Sequence, residues 1–345
     1  MMKKSIVLVA ATLATGAAMA QSSVTLYGLA DIYLASQKNA ATGQRVTKLE
    51  SSGIYESRFG FKGSEDLGGG YKANFQLEQG FALDAGTAST GQAFSRQSWV
   101  GISGGFGDAR FGKAWSAFDD VSGSTLAAKN SVLAPNQGTW LTTSYKDNPN
   151  NGLYYATPEF GGLSAAVSYG LGENKTPTTG AGSITSVHVK YGKGPLFAAV
   201  AYQTEKATSA AKAINFTRLS GSYDFGPAKL LASYGRVSHD GSRTNEWALG
   251  ADVPLGGGWL LSGGVANSKG GITGFTGDAN YTGKLVNTVA PGAADVKRTG
   301  YSVAAFYSLS KRTTVYGGYR SNTTKVPGAA DQDGSLLAVG MLHTF

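Results

Sequence analysis

The sequence predicts an all-β fold, a transmembrane antiparallel β-barrel of about sixteen strands. Three observations predict it. Apolar and polar residues alternate in short runs that recur at roughly ten-residue spacing. The connections between runs fall into alternating short and long classes. The chain opens with an export leader, yet beyond it no window of about 18 residues is apolar enough to span a bilayer as a helix.

The leader covers residues 1–20: Lys3 and Lys4 supply its charge, Ile6 to Leu13 its apolar run, and Ala18-Met19-Ala20 a small-x-small cleavage site. Residues 21–345 then form the folded barrel. Fifty glycines against nine prolines, together with 17 tyrosines, favour tight turns and strands over helices. The chain has no cysteine, which excludes disulfides, thiolate metal sites and cysteine nucleophiles. Its formal charge of +8 comes from scattered lysines and arginines, and export argues further against a nucleic-acid partner.

In order, strands are expected near 24–34, 55–63, 70–80, 93–103, 108–115, 152–158, 162–170 and 185–192. They continue near 196–205, 215–225, 228–238, 244–252, 258–268, 296–309, 313–321 and 335–345. Short turns lie at Glu65 to Gly69, Gly104 to Gly107, Glu159 to Gly161, Gly192 to Pro195, Gly226-Pro227, Pro254 to Gly257 and Ser310 to Arg312. Between them run the longer segments 35–54, 81–92, 116–150, 171–184, 269–295 and 322–334, as expected when short turns face the periplasm and long loops face outward. The run at 71–78 sets Tyr71, Ala73, Phe75 and Leu77 on one face against Lys72, Asn74, Gln76 and Glu78 on the other. A sandwich would show the same period; a wide barrel places the polar face in a wet lumen. The alternation at 301–309 is interrupted by Phe306 on the polar side. In the last run Leu337, Val339, Met341, His343 and Phe345 share a face, which suits a lipid-facing strand with an aromatic at the interface.

Several stretches resemble the general diffusion porins of the Gram-negative outer membrane, in their β-proteobacterial form. They are Val24 to Gly28, Ser57 to Gly70, Ser95 to Gly101, Arg110 to Lys113, Leu153 to Phe160 and Val339 to Phe345. The resemblance implies a homotrimer of sixteen-stranded barrels in the outer membrane, each with its own pore narrowed by an inward-folded third loop. Here that loop is the stretch from Ser116 to Asn148. By resemblance, Arg58, Arg96, Lys113 and Lys146 form the basic wall of the constriction, and Glu78, Asp119 and Asp120 its acidic side. Lys113 stands where the family commonly has arginine, and Asn148 stands near a position that is often basic. Opposed fixed charges at a constriction select permeants by sign, and charges at bilayer depth must face water, which directs Arg58, Lys62, Glu78 and Arg96 to the lumen.

The function implied is passive diffusion of small hydrophilic solutes and inorganic ions, with a weak anion preference, in contact with outer-membrane lipid and without a cofactor or metal. Two other classes are weighed against it. A channel specific for a sugar or organic anion would use an aromatic slide, for which Trp115, Phe118 and Trp140 are candidates. A barrel hydrolase would need a histidine beside its serine, and Ser186-Val187-His188 is the strand pair that could offer one.

Overall fold

A computed structural model describes residues 23–89, 92–272 and 295–345. The leader and most of the 269–295 loop lie outside the described residues. Sixteen wall strands close one antiparallel barrel. They are β1 (Ser23–Lys38), β2 in two pieces (Arg45–Ser51 and Arg58–Gly68), β3 (Tyr71–Ala82), β4 (Gln97–Gly104), β5 (Gly107–Lys113), β6 (Gly152–Ala156), β7 (Leu163–Leu171) and β8 (Ala181–Lys193). The ring continues through β9 (Leu196–Thr208), β10 (Ile214–Asp224), β11 (Lys229–His239), β12 (Ser242–Gly256), β13 (Trp259–Gly270), β14 (Val296–Ser308), β15 (Thr313–Lys325) and β16 (Gln332–Thr344). Each strand pairs with its sequence neighbours. β16 returns to β1 in the register Leu29↔Thr344 through Lys38↔Ser335, so the ring has no free edge.

Two expectations are corrected. Residues 35–54 are not an irregular loop, because β1 runs on to Lys38 and pairs there with Arg45–Ser51. The wall strand is instead broken at 52–57, where the chain steps inward and Ile54 and Tyr55 donate their backbone N–H groups to the Asp31 carboxylate (2.5 and 2.8 Å). Nor is the alternation of connection lengths strict. On the long-loop side, Asp240-Gly241 alone joins β11 to β12, with φ of 46° and 77°, values that close a two-residue hairpin and suit Asp-Gly.

Alternation sorts the faces as anticipated. Leu337, Val339, Met341 and Phe345 are exposed on the outer surface, while Leu336, Ala338 and Leu342 are buried inside. Aromatic rings ring the short-turn end, including Tyr71 beside Phe106 (6.1 Å), Tyr223 beside Phe225 (4.6 Å) and Trp259 stacked on Tyr307 (4.6 Å). Rings at this level suit the bilayer interface, where an apolar body and a polar tip are both accommodated. Phe306, the exception in the 301–309 pattern, points inward and is 1% exposed. It stacks beside Tyr316 and lies under the Lys129 ammonium of the inner loop.

Candidate functional site

The chain between β5 and β6, residues 114–151, folds into the barrel. It carries one helical turn, α1 (Asp119–Ser122), and a 3₁₀ turn at Ala128–Asn130. A backbone laid against a wall loses water and needs partners, and inward-facing side chains of successive strands supply them. Ala117 N–H donates to Ser168 on β7 (3.0 Å), Phe118 N–H to Ser186 on β8 (2.6 Å), and Ala128 N–H to Ser262 on β13 (2.7 Å). Glu205 on β9 accepts from Lys146 N–H (2.7 Å). Glu246 on β12 accepts from the N–H groups of Leu141 (2.5 Å) and Thr142 (3.0 Å) and from the Thr142 and Ser268 hydroxyls. The Arg218 guanidinium on β10 donates to the Ser122 and Thr142 carbonyls and lies over the Trp140 ring at 4.5 Å. The loop therefore follows the inner surface from β6 to β14, and at Val132 to Ala134 it continues onto β15, β16 and β1, where Val132 N–H donates to the Gly53 carbonyl of the inward step (2.8 Å).

The inner surface of β2 to β5 carries the other half of the site. Glu78 on β3 accepts from Arg96 Nε (2.8 Å) and from the Tyr27 hydroxyl (3.0 Å), and the Arg58 Nε lies 3.4 Å away. A second carboxylate, Glu56, reaches Arg96 from the break in β2. Trp115 lies under the Arg96 guanidinium at 4.8 Å, and Lys62 over the Tyr27 ring at 5.2 Å. Gly80 makes room for this cluster: a methyl group there would strike the Glu56 carboxylate and press on the Arg96 side chain. At the end of β5, the Lys113 ammonium donates to the Asn148 carbonyl (3.0 Å) and Asn150 Oδ1 (2.9 Å). Lys146 lies within electrostatic reach of Lys113, on the loop and not on the wall.

The acidic pair sits on α1. Asp119 accepts from the Tyr145 hydroxyl (2.5 Å), and Asp120 from the Tyr154 hydroxyl of β6 (2.7 Å) with His188 Nδ1 at 3.6 Å. Burial pushes the Asp119 carboxyl up to about 7; the nearby Asp147 carboxylate pushes the same way, while the Tyr145 hydroxyl and Arg96 oppose. Asp120 is also raised, again chiefly by burial. The loop acids are thus weakened while the guanidinium groups opposite stay charged.

The structure thus joins Arg58, Glu78 and Arg96 in one cluster, with Asp119 in electrostatic reach of Arg96. Glu78 lies within the basic wall and not on the loop side facing it. Sequence reasoning missed Glu56, Tyr27 and Asp147. Glu56 lies two residues before Arg58, so period-2 alternation would have placed it on the same face; the break in β2 hid it among loop residues. Of the aromatic candidates, Phe118 and Trp140 are buried at 0% and 4% exposure and pack the loop, so neither lines an open path. Ser186 and His188 hold the loop: the serine oxygen accepts from Phe118 N–H, and His188 Nδ1 lies 2.6 Å from the Ala117 carbonyl.

A closed barrel with an anchored inner loop and a charged opposite wall is matched among known proteins. A sequence model of the Gram-negative porin family covers residues 6–326. The chain belongs to this family. Outer membrane porin protein 32 of Delftia acidovorans is 34% identical over 331 residues, 92% of this chain and 88% of that porin. An outer membrane porin protein of Bordetella pertussis is 29% identical over 395 residues, spanning 100% of both chains. Among solved structures, the anion-selective porin from Comamonas acidovorans superposes with a TM-score of 0.76 at 28% identity, over 94% of this chain and 100% of its own. The protein is an outer-membrane porin of the β-proteobacterial type, and its described strands form the transmembrane barrel.

Proposed function

We propose that this porin passes small hydrophilic solutes and inorganic ions by passive diffusion, through the gap between the inner loop and the wall formed by β2 to β5. In this reading Arg58, Arg96 and Lys113, joined by Lys146, form the basic side of the constriction. Glu78 tempers it from within the wall, and Asp119 and Asp120 face it from the loop. The carrying observation is the placement of the loop, which is held by the wall from β6 round to β1 and by the inward step at Gly53, and leaves the Arg58–Glu78–Arg96 cluster facing it. The sign follows from which charges persist. The guanidinium groups remain cationic, the loop acids are raised by burial, and Glu56 and Glu78 offset part of the positive field, so the anion preference is weak. The selectivity printed for the Comamonas porin agrees in sign.

The protein acts as a channel and not as an enzyme, since its inward serine and histidine are engaged with the loop backbone. It assembles as a homotrimer in outer-membrane lipid, as the family resemblance implies, and residues 1–20 are its removable leader. Single-channel recording tests the reading. Three equal conductance steps per insertion and a reversal potential of anion sign in a KCl gradient support it. Cation preference overturns the assignment of the wall, and a saturable block by one sugar would favour a solute-specific channel.

A further inference from the structure

Phe306 interrupts the polar side of its strand for a reason that lies on the inner loop. Its ring fixes the Lys129 ammonium at 5.1 Å from the centroid, and Tyr316 backs that ring at 6.3 Å. Lys129 sits in the 3₁₀ turn at Ala128–Asn130, whose residues have φ of 52°, 56° and 51°. Successive left-handed residues that carry a Cβ are disfavoured, because each presses its Cβ on a carbonyl oxygen. The surroundings hold the turn in place. Ala128 is fully buried with its N–H on the Ser262 hydroxyl, and just beyond the turn Val132 N–H is bonded to the Gly53 carbonyl.

The product of that strain is the direction of one side chain. Ala128 faces the wall, whereas Lys129 is exposed, and inside a closed barrel this means exposed to the water of the lumen. Strain that the surroundings maintain at one place points to a use. Phe306 stands two residues from the end of β14, where the chain enters a short turn, so the ammonium lies toward the periplasmic mouth.

Lys129 also differs from the wall cations in what holds it. Arg96 is paired with Glu78 and Glu56, which cancel part of its field. Among the described residues no carboxylate lies within salt-bridge distance of Lys129. The acids on nearby elements serve other donors: Asp31 takes the Tyr316 hydroxyl and the Ile54 and Tyr55 N–H groups, and Asp252 takes the Ser262 hydroxyl. An aromatic face attracts an ammonium through its quadrupole but has no net charge, so it positions the cation without neutralising it.

We propose that Lys129 is a further selectivity-determining residue, an unneutralised cation on the loop itself that draws small anions into the gap from the periplasmic mouth. The proposal rests on the diffusion reading above. The loop then opposes the basic wall less than its acids imply, because its exposed turn adds positive charge.

The chain has no cysteine, so a single one can be introduced and given a charge of either sign. Lys129→Cys porin is inserted from one side of a planar bilayer, which fixes its orientation, and treated from either chamber with cationic, neutral and anionic thiol reagents of similar size. Lys129→Cys should lower the anion-to-cation permeability ratio about two- to threefold, as for one exposed charge. The cationic reagent should restore the parent ratio, the neutral one should leave it lowered, and the anionic one should lower it further. Labelling should be faster from the periplasmic chamber. Lys129→Asn, with a side chain that tolerates the left-handed region, should reproduce the lowered ratio and keeps the test intact if cysteine disturbs the turn. A cation-preferring parent would overturn the assignment of the wall, whereas the role of Lys129 stands or falls on the shift relative to the parent. An unchanged ratio in both variants, equal ratios after cationic and anionic labelling, or faster labelling from the outer chamber would each overturn the proposal.

Discussion

Two arcs of the same barrel use the same residue types to opposite ends. On β2 to β4, Arg58, Glu78 and Arg96 gather in a partly exposed cluster that faces across the lumen. On β10 and β12, Arg218 and Glu246 are 1% and 0% exposed and grip the loop that forms the other side of the gap. The first arc sets the field and the second sets the aperture. The difference is what covers them, since an inward arginine under a loop is a structural clamp and an inward arginine under water is a selector.

The largest effect should come from breaking the clamp. Glu246→Ala strands two N–H groups and two hydroxyls in a buried setting and leaves Arg218 without its nearby countercharge. It should destabilise the folded porin by about 3–5 kcal/mol, read as a lowered unfolding midpoint in detergent. Channel noise should rise as the loop loosens; a quiet channel of unchanged stability would erase the contrast between the arcs. Breaking the selector should act on current and not on stability. Arg58→Glu replaces a cation with an anion beside Glu78 and should change the anion-to-cation permeability ratio on the order of tenfold, about 1.4 kcal/mol, with the reversal potential crossing zero.

A smaller effect links the arcs. Asp119 is anionic above about pH 7 and neutral below it, so anion preference should increase as the pH falls from 8 to 5.5. Reversal potentials across that range measure the step, and Asp119→Asn should abolish it while holding the acidic-pH value throughout. The smallest effect belongs to Glu56, whose side chain is 38% exposed and therefore screened. Glu56→Gln should free part of the Arg96 charge and raise the permeability ratio about two- to threefold, under ~1 kcal/mol. A fall in that ratio would show that Glu56 positions Arg96 instead of offsetting it.

Strand number and facing were legible because a barrel wall imposes period-2 alternation on every strand, as in Leu337 to Met341. The inward direction of Arg58, Glu78 and Arg96 was legible for the same reason, reinforced by motif. What the sequence concealed depends on contacts between distant segments. Ser168, Ser186 and Ser262 read like water-facing wall residues, and only the folded loop reveals them as acceptors for its backbone. Glu56 was hidden by a strand break that Asp31 stabilises from across the sheet, and Phe306 looked like an irregularity until Tyr316 and Lys129 met it.

The seam between β1 and β16 has a kinetic consequence. Gly28 and Phe345 exchange both backbone hydrogen bonds (3.1 and 3.0 Å) across more than three hundred positions of chain. No portion of this polypeptide that lacks β16 can complete its ring, because the partner of β1 is the sixteenth wall strand. Pairings this remote make folding slow, and meanwhile both open margins stay available to any passing strand. The zipping of that seam is therefore the step that withdraws both margins from further pairing.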